Sequence, residues 1–399
     1  MKTIKPIITS LLDLDFYKFT MAQVAWKYYR DINVKYFFQN RDQQINLANH
    51  LDIEELTEQL EYVRRLIFTK TEIDYLTNFP FSKNFLNFLQ KLKLPPVNVN
   101  KEKRALKIET QGPWPETIWW ETIILSIVNE LYYRPMIKYD KKSPTRLFSE
   151  GETRLNKKIS LLKKYPLIKF TDFGTRRRFS KAWQEEVVKK LIKELPNQFI
   201  GTSNVFLARK YSIAPIGTFA HEMYMVLSGI IHENEKAIKS SHNQVLQIWY
   251  KEYGQSLAIA LADNYGSDFF FNDFTPTQAR LWRGLRHDSG DPIIFGRKAI
   301  SFYKKLGIDP REKIIVFSDN LNEKKIISIY NHFKNKIGII FGWGTNLTND
   351  LGYQPMSIVV KVQEANGYKL VKLTDDLSKA TGDKKEIKKF MQIFNYHRP

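Results

Sequence analysis

The six residues Arg286-His287-Asp288-Ser289-Gly290-Asp291 place a guanidinium, an imidazole and two carboxylates directly after a short apolar run. Alternating charge of this kind suits a substrate with several phosphates and magnesium, because Mg²⁺ takes oxygen ligands, retains waters and bridges phosphate oxygens. The same residues would also serve as an ion-pair network capping the end of a sheet. "ADNYG" ends another run with Asp263, and "FSDN" brings Ser318 and Asp319, where a carboxylate suits ribose hydroxyls or simply caps a helix. In "GTFAHE", His221 stands at a run end beside Glu222, a setting for an imidazole held ready for proton or phosphoryl transfer.

Three further stretches could hold anions. "DFGTRRRFS" contains Arg176, Arg177 and Arg178, each able to clamp phosphate or carboxylate. If the segment opens a helix, the three spread over roughly 200°, so at most two can face one ligand. "GTSN" supplies Thr202, Ser203 and Asn204, small donors and acceptors that equally well make local turn bonds. In "IGIIFGWGTNLTND" a β-branched run breaks into Gly342, Gly344 and Thr345, whose successive backbone N–H groups suit a phosphate at a helix N-terminus. No lysine follows the glycines, and Leu347 stands where a G-x-G-x-x-G pattern would need its third glycine, so this is neither a P-loop nor a dinucleotide fingerprint. Trp343 between the glycines must turn its ring away from any phosphate.

These residues need a common scaffold. From about residue 165 the chain repeats short apolar runs with polar ends, each followed by a helical pattern: "IKFTDFG", "QFIGTSN", "PIGTFAHE", "LAIALADNYG", "RGLRHDSGDP", "IIVFSDN", "IGIIFGWGT" and "SIVVKV". Apolar runs alternating with helices predict a parallel sheet covered by helices. Eight of them predict a (β/α)8-type barrel of irregular form, with an open doubly wound sheet as the alternative. In either fold the polar run ends share the carboxyl edge, where such enzymes build their sites. Earlier, amphipathic helical stretches such as "IEELTEQLEYVRRL" mix with alternating strands such as "NVKYFFQ". The polar "KYDKKSPT" divides the chain into an N-terminal α/β module, 1–140, and a barrel domain, 141–399.

Composition narrows the chemistry. With 399 residues, 43% of them hydrophobic, the chain can bury a large core, and no window approaches 18 uninterrupted apolar residues. Asp13 and Asp15 interrupt the start, where a signal peptide would need an apolar stretch, so a cytoplasmic protein without membrane contact is expected. The absence of cysteine excludes disulfides, thiolate catalysis and cysteine-ligated zinc. The net charge of +20 favours anionic partners, but its lysines are spread around amphipathic helices rather than gathered in a nucleic-acid module. A basic nucleic-acid-binding protein, or a sugar-phosphate barrel enzyme, remains the more distant reading.

Taken in order, "LLDLDFYKFTM", "DFGTRRRFS", "GTSN", "GTFAHE", "RHDSGDP", "VFSDNL" and "FGWGTNL" closely resemble the bacterial nicotinate phosphoribosyltransferases over essentially the whole chain. The resemblance implies a type II phosphoribosyltransferase fold, with an N-terminal α/β sandwich domain, 1–140, and an irregular (β/α)8-type barrel, 141–399, whose end packs back on the first, and a homodimer with shared active sites. It implies ATP-coupled formation of nicotinate mononucleotide and diphosphate from nicotinate and phosphoribosyl diphosphate, with Mg²⁺ and a phosphohistidine at His221. It implies aromatic contacts to substrate from Phe173 and from Tyr17 of a neighbouring subunit, although Tyr17 on its own reads as a helix core residue. Arg176 and Arg286 correspond to anion-binding arginines, Asp263 and Asp288 to the diphosphate and magnesium side, and Asp319 to the ribose. Gly342, Gly344 and Thr345 correspond to the 5′-phosphate loop. Nicotinamide- and quinolinate-using relatives of the same fold are the nearest alternatives. The neutral "TSN" favours a carboxylate substrate, which an aspartate there would repel.

Overall fold

The computed structural model describes residues 5–42, 44–102, 105–141 and 143–396. The chain forms two compact units, one of residues 1–217 with 343–361 and one of residues 218–342 with 362–399.

In the first unit, β1 (Asn33–Asn40), β2 (Val97–Glu102) and β3 (Ala105–Pro113) pair antiparallel with β3 in the middle. The alternation of "NVKYFFQN" sends Val34, Tyr36 and Phe38 inward while their neighbours face out, the period-2 pattern of a half-buried strand. The helix Trp120–Tyr139 is apolar on nearly every side and is correspondingly buried along most of its length, with Trp114, Trp119 and Trp120 fully enclosed near its start. Two short strands, β4 (Phe170–Asp172) and β5 (Phe199–Thr202), pair in parallel. Between them the helix Lys181–Glu194 begins at Ser180, whose hydroxyl accepts from the backbone N–H of Trp183. "KYDKKSPT" links this unit's helices Trp120–Tyr139 and Pro144–Leu162, and the compact units divide elsewhere than at residue 140.

The second unit holds four parallel strands, β6 (Ile259–Leu261), β7 (Gly284–His287), β8 (Ile314–Phe317) and β9 (Gly338–Trp343, of which Gly338–Gly342 lie in this unit), in the order β9-β8-β7-β6. Helices Pro292–Lys305 and Glu323–Phe333 connect successive strands, as parallel pairing requires. Asp291 caps the first by accepting from the N–H groups of Ile293 and Ile294.

The α/β class and the parallel sheet strands are as the sequence predicts, but two of the eight runs are not barrel strands. "PIGTFAHE" is irregular: Pro215 makes only an isolated bridge to Thr202, because its proline and glycine suit no ladder. "SIVVKV" does become a strand, β10 (Ile358–Ala365), but in the antiparallel sheet of β1 to β3. Six runs therefore form parallel strands, two in the first unit and four in the second.

Gly284 shows how tightly β7 and β8 are matched. A Cβ there would lie 2.0 Å from the carbonyl oxygen of Ile314, a backbone atom with no rotamer to change. Gly284→Ala is expected to cost at least about 3 kcal/mol, the upper end of overpacking effects, read as a lowered urea midpoint. A variant as stable as the parent would show that the two strands separate easily.

Candidate functional site

The first unit gathers an aromatic and cationic cluster on the carboxyl ends of β4 and β5. Phe173 follows β4, is half-buried, and donates its backbone N–H to the carbonyl of Trp343 at 2.9 Å. The next residues form a 3₁₀ turn, Thr175–Arg177, which separates the three arginines as the spacing requires. Arg176 lies over the Tyr17 ring, 5.4 Å from its centroid, and pairs with Glu121 at 3.1 Å and Asp15 at 3.5 Å. Its side chain keeps 37% of its surface exposed, while Tyr17 is 7% exposed and donates its hydroxyl to Glu121 at 3.2 Å. Arg178 is fully buried and faces the interior instead. Burial would raise the Glu121 carboxyl, but Lys18 and Arg176 beside it bring it down to about 2. Asp15 goes the other way, raised by burial despite Arg176.

Beneath this cluster lies a buried polar hub. Arg178 donates to both oxygens of Asp13, at 2.6 and 2.9 Å, and to Gln184 at 3.1 Å. Asn204 donates to Asp13 at 2.7 Å and caps the following helix by accepting from Leu207 N–H. Thr202 donates to Asp172 at 2.7 Å and Ser203 to Asp15 at 2.5 Å. Thr202, Ser203 and Asn204 are all buried, and each has a side-chain partner within the protein. The small side chains of "TSN" thus suit a closed interior in which they pair with aspartates. Asp13 stays ionised: burial would raise its carboxyl, but the charges of Arg178 and Lys181 and two side-chain hydrogen bonds hold it below the usual range.

The glycine loop keeps the expected form only in part. Gly342 is the penultimate residue of β9 and is buried, and Gly344 precedes the one-turn helix Thr345–Thr348. The Trp343 ring is fully buried, edge-on to Phe170 at 5.9 Å with the Lys158 ammonium 5.5 Å from its centre, so it does point away from the loop. Lys158 also binds the carbonyl of Asn346 and, at 2.7 Å, Asp350, adding a cation beneath the loop.

The second unit holds the acid, base and imidazole groups. His221 opens the helix Glu222–Ile230, and Asp263 follows β6. His221 Nε2 lies 2.9 Å from Asp263 Oδ1, and its Nδ1 lies 3.8 Å from Asp288 Oδ2. Asp263 is buried; its other oxygen accepts from Ser289 Oγ. With both oxygens engaged, Asp263 orients His221. Burial and nearby Lys372 lower the His221 pKa, against the pull of Asp263. The pair is thus neutral imidazole with Nε2–H donating to an ionised carboxylate.

Arg286 and Asp288 stand at the end of β7 as the sequence predicts. Arg286 donates to the carbonyl of Phe219 at 3.1 Å and lies 3.6 Å from Asp288, yet its buried Nε has no partner. Ser318 donates to Asp288 at 2.7 Å, and Asp319 pairs with Lys379 at 2.6 Å. Asp291 caps a helix, and Glu222 is buried in the first turn of another. Lys372, Asp375 and Lys379 come from a strap near the end of the chain that no motif marked. Asp13 and Asp15 did carry a signal, because carboxylates inside an apolar run need buried partners.

The chain is similar to known proteins over nearly its whole length. The model of the nicotinate phosphoribosyltransferase (NAPRTase) family matches residues 168–398, and that of its N-terminal domain matches residues 12–129. Nicotinate phosphoribosyltransferases of Burkholderia mallei (strain ATCC 23344) and Burkholderia ambifaria (strain MC40-6) are each 40% identical to this chain, covering 98% of it and 98% of their own length. The solved nicotinate phosphoribosyltransferase of Vibrio cholerae superimposes with a TM-score of 0.88 at 33% identity, over 98% of this chain and 94% of that one. That of Porphyromonas gingivalis gives 0.89 at 31%, over 98% and 100%. Among the described residues no helix is long and apolar enough to cross a membrane.

Proposed function

Since this chain belongs to the nicotinate phosphoribosyltransferase family, we propose that it joins nicotinate to phosphoribosyl diphosphate, releasing diphosphate, and that ATP drives the reaction through a phosphohistidine at His221. The observation that supports the ATP coupling is the geometry of the His221 imidazole, tied at Nε2 to Asp263 and with Nδ1 3.8 Å from Asp288.

The pyridine nitrogen attacks C1 of the ribose as diphosphate leaves, through a transition state with oxocarbenium character. The protein's part is positioning and charge stabilisation rather than covalent work on the sugar. Phe173 and Tyr17 offer aromatic faces to the ring, and Arg176 is the cation for the nicotinate carboxylate; its partly exposed guanidinium supports this. Arg286 takes the diphosphate, its unpartnered Nε supplying a donor. Asp319 takes the ribose hydroxyls, and the Gly344–Thr345 turn the 5′-phosphate. Among the described residues no three His, Asp or Glu side chains group to hold a metal ion. Asp288 would face a Mg²⁺ carried in on diphosphate, an ion that would supply charge to offset that of the departing group. The enzyme works as a homodimer.

Purified protein incubated with phosphoribosyl diphosphate and Mg²⁺ is expected to form a mononucleotide from nicotinate but not from nicotinamide or quinolinate, with ATP raising the yield. Product from nicotinamide alone, or none from nicotinate, would refute the assignment. Light scattering on the same preparation is expected to give twice the chain mass; a monomer would refute the dimer.

A further inference from the structure

We infer that Ser289 is a positioning residue for His221, acting through Asp263 to decide which ring nitrogen accepts the phosphoryl group. The inference rests on the reading of His221 as that acceptor. Ser289 lies in the "RHDSGDP" loop, is 1% exposed, and has been given no part in the reaction so far.

Its hydrogen bonds have a fixed direction. The backbone N–H of Asp375 donates to Ser289 Oγ at 3.0 Å, so the hydroxyl oxygen is engaged as an acceptor. The single hydroxyl proton then goes to Asp263 Oδ2, and Asp263 Oδ1 is left to accept from His221 Nε2–H at 2.9 Å. Asp375 is itself held in place, since its Oδ1 accepts from Ser267 N–H at 2.7 Å. A buried carboxylate gripped at both oxygens cannot rotate, and an imidazole bonded to it keeps one tautomer. In that tautomer only Nδ1 carries a lone pair. Nδ1 forms the bond to the γ-phosphorus of ATP while the bond from that phosphorus to its bridging oxygen breaks, and the electron pair leaves with ADP. Nε2 keeps its proton, and the Asp263 carboxylate offsets the positive charge that develops on the ring.

Without the Ser289 hydroxyl, Asp263 Oδ2 loses its donor, and the carboxylate can turn away from Nε2. The neutral ring then samples its other tautomer, and Nε2 becomes a second nucleophile. The test is ATP labelled in the γ-phosphate, with the rate of protein labelling measured together with the ³¹P NMR signature that separates Nδ1- from Nε2-phosphohistidine. Wild type is expected to label at Nδ1 alone. Ser289→Ala is expected to label about tenfold to a hundredfold more slowly, the range for residues that orient a reactive imidazole, and to show an Nε2 fraction. Ser289→Thr, which keeps the hydroxyl, should restore Nδ1 labelling; Ser289→Cys, a weaker donor, should fall between and serves if the alanine variant does not fold. A folded Ser289→Ala or Ser289→Cys enzyme that labels only Nδ1 at the wild-type rate would overturn the inference. A wild-type enzyme that takes up no label would instead overturn the ATP-coupling reading beneath it.

Discussion

His221→Ala is expected to abolish incorporation of the ATP γ-phosphate into the protein and to remove ATP stimulation of mononucleotide synthesis entirely. The expectation follows from the absence of a substitute nucleophile. The chain has no cysteine, and His287, the other histidine near the end of β7, is 1% exposed. ATP-independent ligation should fall but remain measurable, because attack of the pyridine nitrogen on C1 draws on positioning by other groups. The pH dependence has a definite sign. Burial and Lys372 lower the His221 pKa, so the nucleophilic neutral form persists to more acid pH than for an unperturbed histidine. ATP stimulation should therefore hold steady through neutral pH and fail only as the pH drops through that depressed value. Stimulation unchanged in His221→Ala, or lost as pH rises from neutrality, would refute the role.

The second large effect is on stability. Asp13→Ala is expected to cost about 3–5 kcal/mol, because it strands the fully buried guanidinium of Arg178. The loss is not the value of one ion pair. It is mainly the penalty for a buried cation whose remaining side-chain acceptor is the neutral Gln184. Asp13→Ala and Arg178→Ala together should cost less than the sum of the two alone, since the second change removes the charge that the first leaves unpaired. Because the folded Asp13 pKa is depressed, its contribution is complete above the unfolded value and is lost as pH falls through the folded one. Urea melts should show the wild-type advantage in full at neutral pH and shrinking below pH 3.8. Equal midpoints at neutral pH, or strict additivity, would sink the account.

The legible part of this protein was local. Run-ending polar residues marked His221, Asp263, Arg286 and Asp288 before any contact was known, because period and run length set where apolar runs stop, although the run before His221 forms no strand. The spread of Arg176 to Arg178 around a turn was likewise foreseeable, but which one faces inward depends on Asp13, 165 positions away. The same non-locality hid the fate of "TSN" and "SIVVKV". Side chains suited to a ligand also suit a buried aspartate, and a β-branched run does not announce which sheet it joins. The strap with Lys372, Asp375 and Lys379 carries no motif of its own; its relevance comes entirely from the atoms it meets in the folded chain.

The chain passes between the two compact units after Gly217, after Gly342 and after Lys361. Neither unit is therefore a continuous stretch of sequence, and no single cut yields an intact one. A fragment ending at Gly217 would lack Trp343, whose ring packs on Phe170 and whose carbonyl receives the Phe173 N–H, and also Asp350, the partner of Lys158. A fragment ending at Gly342 would lack the Asp375 N–H that orients Ser289. The protein is thus indivisible as genetic material: its units cannot be expressed, exchanged or inherited as simple modules, and its sites are inherited whole.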